Sequence, residues 1–322
     1  MDVSLSVFDT LIDRSDMSSD KWSKYPGNVI PMWVADMDFD SPDCIKKSLN
    51  QRVSEGVYGY THTPKALVSA IQSHLKRRYD WSVSGTHLVH LPGLVCALHL
   101  SVRIFSKEDD AIIVPGPVYY HLTKAPLTAK RELLSVDMQV ENGRWVPNMA
   151  QFENACANSK SKMILLCNPH NPGGSVYTKA ELLRIHALAE KHDLVVVSDE
   201  IHCDLILDDV PHVPFASLNQ DAANRTITLM APSKTFNLAG LGYAFAVIEN
   251  PSLRHAFNQE KAGLIPSPNM LGLTAAIAAY EDGHAWHQSL LRYLKNNRDF
   301  LVKRIAATPM KMLHLEATYL AW

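Results

Sequence analysis

Five short apolar runs constrain this chain most: Ala111–Val114 (AIIV), Met163–Cys167 (MILLC), Leu194–Val197 (LVVV), Thr226–Met230 (TITLM) and Tyr243–Ile248 (YAFAVI). They are rich in Val, Ile and Leu and lack strict polar alternation. Such runs form strands covered on both faces, as in a mainly parallel sheet. Helical patterns lie between them. Thr178 and Glu181 make a capping box, TKAE. Leu182, Ile185, Leu188 and Ala189 then repeat at helical spacing, and Lys191 and His192 suit the negative end of that helix. Further helices are predicted over Ser41–Gly56, Pro64–Tyr79, Leu94–Phe105, Leu271–Gly283 and Trp286–Ala307. Strand alternating with helix predicts an α/β fold.

Composition narrows the function. The 322 residues suffice for two ordinary domains and a full core. With 47% hydrophobic and 20% charged residues, disorder, coiled coil and collagen are excluded. The formal net charge of −2 gives no bulk attraction to nucleic acid or to an acidic membrane. Small molecules or other proteins are therefore the expected partners. Cys44, Cys96, Cys156, Cys167 and Cys203 form no CxxC pair, and their odd number fits free thiols in a reducing compartment. No signal-peptide core and no apolar run of membrane-spanning length is visible, so a soluble cytoplasmic chain is expected.

Four of the apolar runs break directly into loops rich in polar residues, Gly or Pro. AIIV leads to PGPVYY, MILLC to NPHNPGG, LVVV to SDEIH and TITLM to APSKTFN. Ligands of open parallel sheets bind at the carboxyl ends of the strands. The four loops would then bring an aromatic ring, an amide, a carboxylate and a lysine to one crevice.

Each group has a bland role and a chemical one. A lysine is ordinarily a solvated charge, but Lys234 follows a buried strand, and partial desolvation would turn its amine into a nucleophile for a carbonyl. Asp199 is either a helix N-cap or the partner of a protonated ring nitrogen, which makes the ring an electron sink. His202 is either a hydrogen-bonded core histidine or a neighbour of that carboxylate. Asn171 lies in a rigid Asn-Pro, Gly-Gly turn that can also fix one amide donor against a ring oxygen. Gly93, Leu94 and Val95 open a helical run whose free N–H groups suit a phosphate, and Ser233 can add a hydroxyl. Tyr119 can stack on a flat cofactor or simply pack, and Tyr58 and Tyr60 have the same two roles. Dinucleotide, P-loop, nucleophile-elbow and zinc-protease motifs are absent, and the 15 histidines are scattered.

Together these loops resemble the pyridoxal-phosphate enzymes of fold type I, the class-I/II aminotransferase superfamily. Pro31–Phe39 (PMWVADMDF), VYGY, NPHNPGG, SDEIH and SKTFNLAG make the chain similar to the cystathionine β-lyase, or C–S lyase, subgroup. The resemblance covers nearly the whole chain. It implies a large domain over residues 44–283, with a mainly parallel sheet flanked by helices. Residues 1–43 and 284–322 would form an incomplete small α/β domain.

The resemblance also implies roles. Lys234 would form the covalent imine to pyridoxal phosphate and then shuttle protons. Asp199 would pair with the ring nitrogen, Asn171 and His202 would hold the ring oxygen, and Tyr119 would stack on the ring. Gly93, Leu94, Val95 and Ser233 would hold the phosphate. A homodimer is implied, with Tyr60 reaching the neighbouring subunit's phosphate and Ala35 lying near the substrate carboxylate. The implied reaction is α,β-elimination of L-cystathionine or related cysteine conjugates to a thiol, pyruvate and ammonia. The rivals are an aminotransferase sharing every cofactor residue and a non-catalytic binding or regulatory protein on the same fold.

Four departures accompany the resemblance, one of them the NPGG that replaces the commoner NPTG. Gly242 stands where many superfamily members carry a phosphate-binding arginine, as is common in the C–S lyase subgroup. Ala231 stands where some relatives have serine. The family continues well beyond Thr318–Trp322, in a part that includes the arginine clamping the substrate carboxylate. The expectation is a fragment of a longer protein or a truncated product, with no residue assigned to that clamp.

Overall fold

The computed structural model describes residues 5–322; residues 1–4 of the expected N-terminal segment lie outside them. The helices are α1 (Asp20–Ser23), α2 (Asp43–Ser54), α3 (Lys65–Tyr79), α4 (Leu94–Phe105), α5 (Tyr120–Thr128), α6 (Met149–Ala157), α7 (Lys179–Lys191), α8 (Gln220–Arg225), α9 (Pro251–Lys261), α10 (Met270–Asp282) and α11 (His284–Ile305). The strands are β1 (Leu88–Leu91), β2 (Ala111–Gly116), β3 (Glu132–Glu141), β4 (Arg144–Pro147), β5 (Ser161–Cys167), β6 (Val195–Asp199), β7 (Thr226–Met230) and β8 (Ala244–Val247).

One eight-stranded sheet runs in the order β1-β8-β7-β6-β5-β2-β3-β4. The central neighbours β7, β6, β5, β2 and β3 are parallel. β8 runs antiparallel to both β7 and β1, and β4 antiparallel to β3. The unalternated runs are explained by burial on both sides. Ile112, Val114, Met163 and Leu165 pack under α4 and α9, beside Leu98 and Phe257. Their strand neighbours Ile113, Ile164 and Leu166 face the other way, onto Phe152 of α6 and Leu182 and Ile185 of α7. Both faces of the central strands are thus apolar, as the sequence pattern requires.

The elements missing from the sequence expectation have weaker patterns. β3 (ELLSVDMQVE) alternates and carries exposed residues because it lies near the sheet edge. β1 and β4 have four residues each. α5, which follows PGPVY directly, contains Pro126.

A third apolar cluster joins α2, α3, α10 and α11. Trp286, Leu290 and Leu294 of α11 pack with Leu273, Ala276 and Ala279 of α10, so packing is continuous across the 283/284 boundary. The final segment, expected to be a small-domain strand, makes one bridge, Ala317 to Ile206. Its backbone is pinned by Ala317 N–H to Gly174 O (2.9 Å), Thr318 N–H to Leu205 O (2.8 Å) and Leu207 N–H to Glu316 O (2.8 Å). Glu316 accepts from Arg144 Nε at 2.7 Å and from the Val176 N–H at 2.8 Å.

Gly174 meets this segment at φ +70°, where a Cβ would fall 3.0 Å from the Ala317 carbonyl oxygen and closer still to Leu315. Gly174→Ala combines left-handed strain with crowding and is expected to cost about 2 kcal/mol. Urea denaturation of the two chains measures this; an unchanged midpoint would contradict the close approach.

Candidate active site

Parallel pairing puts the carboxyl ends of β2, β5, β6 and β7 at one edge. The loops leaving that edge carry Tyr119, Asn171, Asp199 and Lys234. Asp199 is the last residue of β6 and is buried. Its Oδ1 accepts from the Ile201 N–H at 3.2 Å, its one hydrogen-bond donor among the described residues. Desolvation pushes its pKa up to about 6, with Glu200 adding to the shift, while the Ile201 N–H and Lys234 oppose it. Asp199 therefore does not act as the cap of a regular helix; the residues after it form turns.

Lys234 lies four residues beyond β7, half-buried. Its Nζ donates to the Ala35 carbonyl at 2.7 Å. Burial lowers the amine's proton affinity, and the Asp36 and Asp199 carboxylates counter it. His202 is 1% exposed, and its Nδ1 has no partner among the described residues. Burial, with Lys234 nearby, pulls its pKa down to about 3, which keeps the imidazole neutral.

The turn after β5 is rigid. Asn168 Oδ1 accepts from the Tyr177 N–H at 3.1 Å, and His170 Nδ1 accepts from the Gly173 N–H at 3.2 Å. The Asn171 carbonyl accepts from the Tyr119 N–H at 3.0 Å, tying this turn to the one after β2. Both residues are half-buried. The Tyr119 ring lies 5.0 Å from Tyr120 and 5.3 Å from His121, and burial raises its phenol pKa.

Gly93 caps α4 without a side-chain bond to the helix, and a Cβ on it would touch nothing within 4 Å. The first-turn N–H groups, including those of Leu94 and Val95, therefore face an open approach. Gly242 adopts φ +60°, and a Cβ there would come 3.3 Å from the Pro92 carbonyl. Ser233 is half-buried beside Lys234. The Lys261 ammonium is felt by Cys96 and His90 at the same end of α4.

The N-terminal segment lies across the lysine loop as a strap. Arg14 pairs with Asp36 at 3.0 Å and Asp38 at 2.7 Å, and Lys21 reaches Asp38 at 2.6 Å. Asn237, itself in the left-handed region, donates to the Met37 and Phe39 carbonyls at 3.0 and 2.8 Å. Ala35 is thereby set against Lys234.

Of the residues singled out from the sequence, Ala35, Asp199, His202 and Lys234 converge, and Tyr119 and Asn171 are joined beside them. Gly93, Leu94 and Val95 form the uncapped helix start. Tyr60 stands apart, fully exposed in this chain together with Tyr58 and Val57. Arg14, Asp36, Asn237, Lys261 and Tyr319 escaped the sequence reading. Asn237 stood in the same motif as Lys234, and Asp36 within PMWVADMDF; Arg14, Lys261 and Tyr319 reach the site from other parts of the chain and leave no local pattern.

A family model described as aminotransferase class I and II matches residues 28–322. The chain belongs to that family. It is 34% identical to cystathionine β-lyase PatB of Bacillus subtilis, over 98% of this chain and 84% of the relative. Among solved structures, OvoB shares 43% identity with a TM-score of 0.93, covering 95% of this chain and 82% of that one. Cystalysin of Treponema denticola, whose structure contains pyridoxal 5'-phosphate, shares 31% identity with a TM-score of 0.94, covering 97% and 82%. The matches over nearly the full length place the chain in the cystathionine β-lyase and C–S lyase subgroup. The architecture is that of fold type I.

The site fits such a cofactor on its own chemistry. Asp199 is a buried carboxylate with one donor, His202 keeps an unpartnered ring nitrogen, and the start of α4 is uncapped.

The raised pKa of Asp199 has a stability consequence. The folded chain holds this proton more tightly than the unfolded chain. Its stabilising contribution is therefore complete near pH 4 and is lost as pH rises through about 6. In the cofactor-free protein, Asp199→Asn should be more stable than the parent by about 2–3 kcal/mol at neutral pH, with the gain vanishing near pH 4. Denaturation midpoints measured at both pH values decide this; a gain independent of pH would refute it.

Proposed function

We propose that this chain is a pyridoxal-phosphate-dependent carbon–sulfur lyase that performs α,β-elimination on L-cystathionine or a related cysteine conjugate. One observation carries the reading: a partly desolvated lysine, a buried carboxylate and an uncapped helix start meet at the sheet edge of a chain whose near-full-length relatives are named as lyases of this kind. Pyridoxal phosphate bound here supplies an electron sink for the pair left when the substrate's α-proton departs.

The chain's residues divide the remaining work. Lys234 would hold the cofactor until the substrate amine takes its place, and its freed amine would then take the proton from Cα and return one to the departing sulfur. The Cβ–S bond breaks, the thiol leaves, and the released aminoacrylate hydrolyses to pyruvate and ammonia. Asp199 holds a proton on the ring nitrogen. A carboxylate that is costly to bury alone gains a cationic partner there. Asn171 and the neutral His202 hold the ring oxygen, and Tyr119 covers one face of the ring. The N–H groups of Gly93, Leu94 and Val95 bind the phosphate with the Ser233 hydroxyl. Ala35 lies at the substrate-carboxylate end. No arginine takes the carboxylate-clamping role in this reading, since Arg14 is engaged by Asp36 and Asp38.

The proposed assembly is a homodimer in which the exposed Tyr60 reaches the partner's phosphate. The proposed division is a large domain over residues 44–283, with residues 1–43 and 284–322 in the small one. Five cysteines without a disulfide accord with a cytoplasmic setting; no helix among the described residues is long and apolar enough to cross a membrane.

Incubation with pyridoxal phosphate and L-cystathionine should yield pyruvate. Glutamate formed from 2-oxoglutarate without pyruvate would favour transamination. Lys234→Ala should lose the borohydride-stable cofactor adduct and at least about 10³-fold in kcat/KM. An adduct that survives the substitution places the cofactor on another lysine.

A further inference from the structure

The Ala35 carbonyl accepts a second donor. Besides Lys234 Nζ at 2.7 Å, the Tyr319 hydroxyl reaches the same oxygen at 3.4 Å. The Tyr319 ring also stands edge-on to His202, with centroids 6.3 Å apart at 80°. Tyr319 thus lies between the strap and the histidine beside Asp199, although no motif marked it.

Its mount is specific. Thr318 is fully buried and β-branched yet sits at φ 72°, a conformation such residues rarely adopt. Strain of this kind persists where surrounding structure over-determines it. Here Ala317 and Thr318 donate to Gly174 and Leu205, and the Thr318 hydroxyl accepts from the Leu320 N–H at 3.2 Å. Glu316 is clamped by Arg144 on the other side. The left-handed residue reverses the chain so that Tyr319 leaves toward Ala35.

We propose that Tyr319 is a positioning residue for Lys234, its hydroxyl sharing the Ala35 carbonyl with the lysine amine and so limiting how firmly that carbonyl holds a charged ammonium. This rests on the assignment of Lys234 as the cofactor-bearing lysine. A carbonyl oxygen has two lone pairs. An O–H dipole directed at one presents its positive end to the same space as the amine, which disfavours the ammonium form. The other groups facing the amine are Asp36 from the strap, Asp199 from β6 and the neutral His202. The two carboxylates favour the charged amine, so the phenol and burial work against them. The result is an amine more readily available as a nucleophile and base.

The test is the titration of Lys234 in the full chain freed of cofactor. Acetic-anhydride labelling from about pH 6 to about pH 11, read on the Lys234 peptide by mass spectrometry, gives its midpoint, with the exposed Lys130 as reference. Tyr319→Phe removes one oxygen and keeps the ring. Its Lys234 midpoint should rise by about half a pH unit or more with Lys130 unmoved, and Tyr319→Leu should shift the same way. If the Phe variant titrates like the parent, the proposal is overturned; a shift in the Leu variant alone assigns the effect to ring packing and also overturns it. Borohydride trapping that placed the cofactor on another lysine would refute the functional assignment, while the titration would still report the contact.

Discussion

Keeping charge out of water is the constraint on which this site depends. The central strands are apolar on both faces, so a polar group at their carboxyl ends has little solvent to lean on. Asp199 has a raised pKa for that reason, and Lys234 gives up its proton more easily than a surface lysine. A parallel sheet makes such a location unavoidable, because all its central strands end at one buried edge. The chain fills that edge with groups whose unmet hydrogen-bonding capacity a flat, charged cofactor can satisfy.

Behind the edge, a second polar layer holds the loop after β6 in place. The Glu200 carboxylate is fully buried and accepts from Ser198 Oγ, His212 Nε2 and the Phe215 N–H, at 2.8, 2.8 and 3.0 Å. The Tyr79 ring meets His212 edge-on and donates to Asp204 at 2.6 Å, while His74 contacts the other Asp204 oxygen at 3.0 Å. Against the cost of burial, His74, with His287 and Arg78, keeps the Asp204 carboxyl far below its ordinary range. Asp199 and His202 therefore sit on a turn anchored at both ends by satisfied buried charge, so their direction is set before any ligand arrives.

Much of this was legible in the chain. The runs AIIV, MILLC and TITLM marked central strands because burial on both faces removes the polar alternation. α4 is bounded by the expected Leu94 and Phe105, since Gly93 precedes it and its apolar face is continuous. The loops after those strands held Lys234 and Asp199 in recognisable motifs. β3 was not legible, because a strand beside the sheet edge with one wet face reads like a loop when Asp137 and Gln139 interrupt it. Tyr319 and the Arg14 strap were not legible either. Arg14 meets Asp36 and Asp38 at 22 and 24 positions with no periodic pattern, Tyr319 and Lys234 meet the Ala35 carbonyl from 284 and 199 positions away, and only the fold brings Asp36 and Tyr319 to one lysine.

The reversed direction of β8 bears on how Lys234 can move. The other loops at this edge lead into helices or long turns, which can tilt on the sheet. The segment bearing Lys234, residues 231–243, instead returns into the sheet, because β8 pairs antiparallel with β7 and closes against β1. Both ends of the segment are thus welded to interior strands. With both ends so held, the main freedom left to the amine is rotation about its own methylene bonds. The span over which this lysine can carry a proton is therefore close to the length of its side chain, measured from a loop that two antiparallel strands hold at its ends.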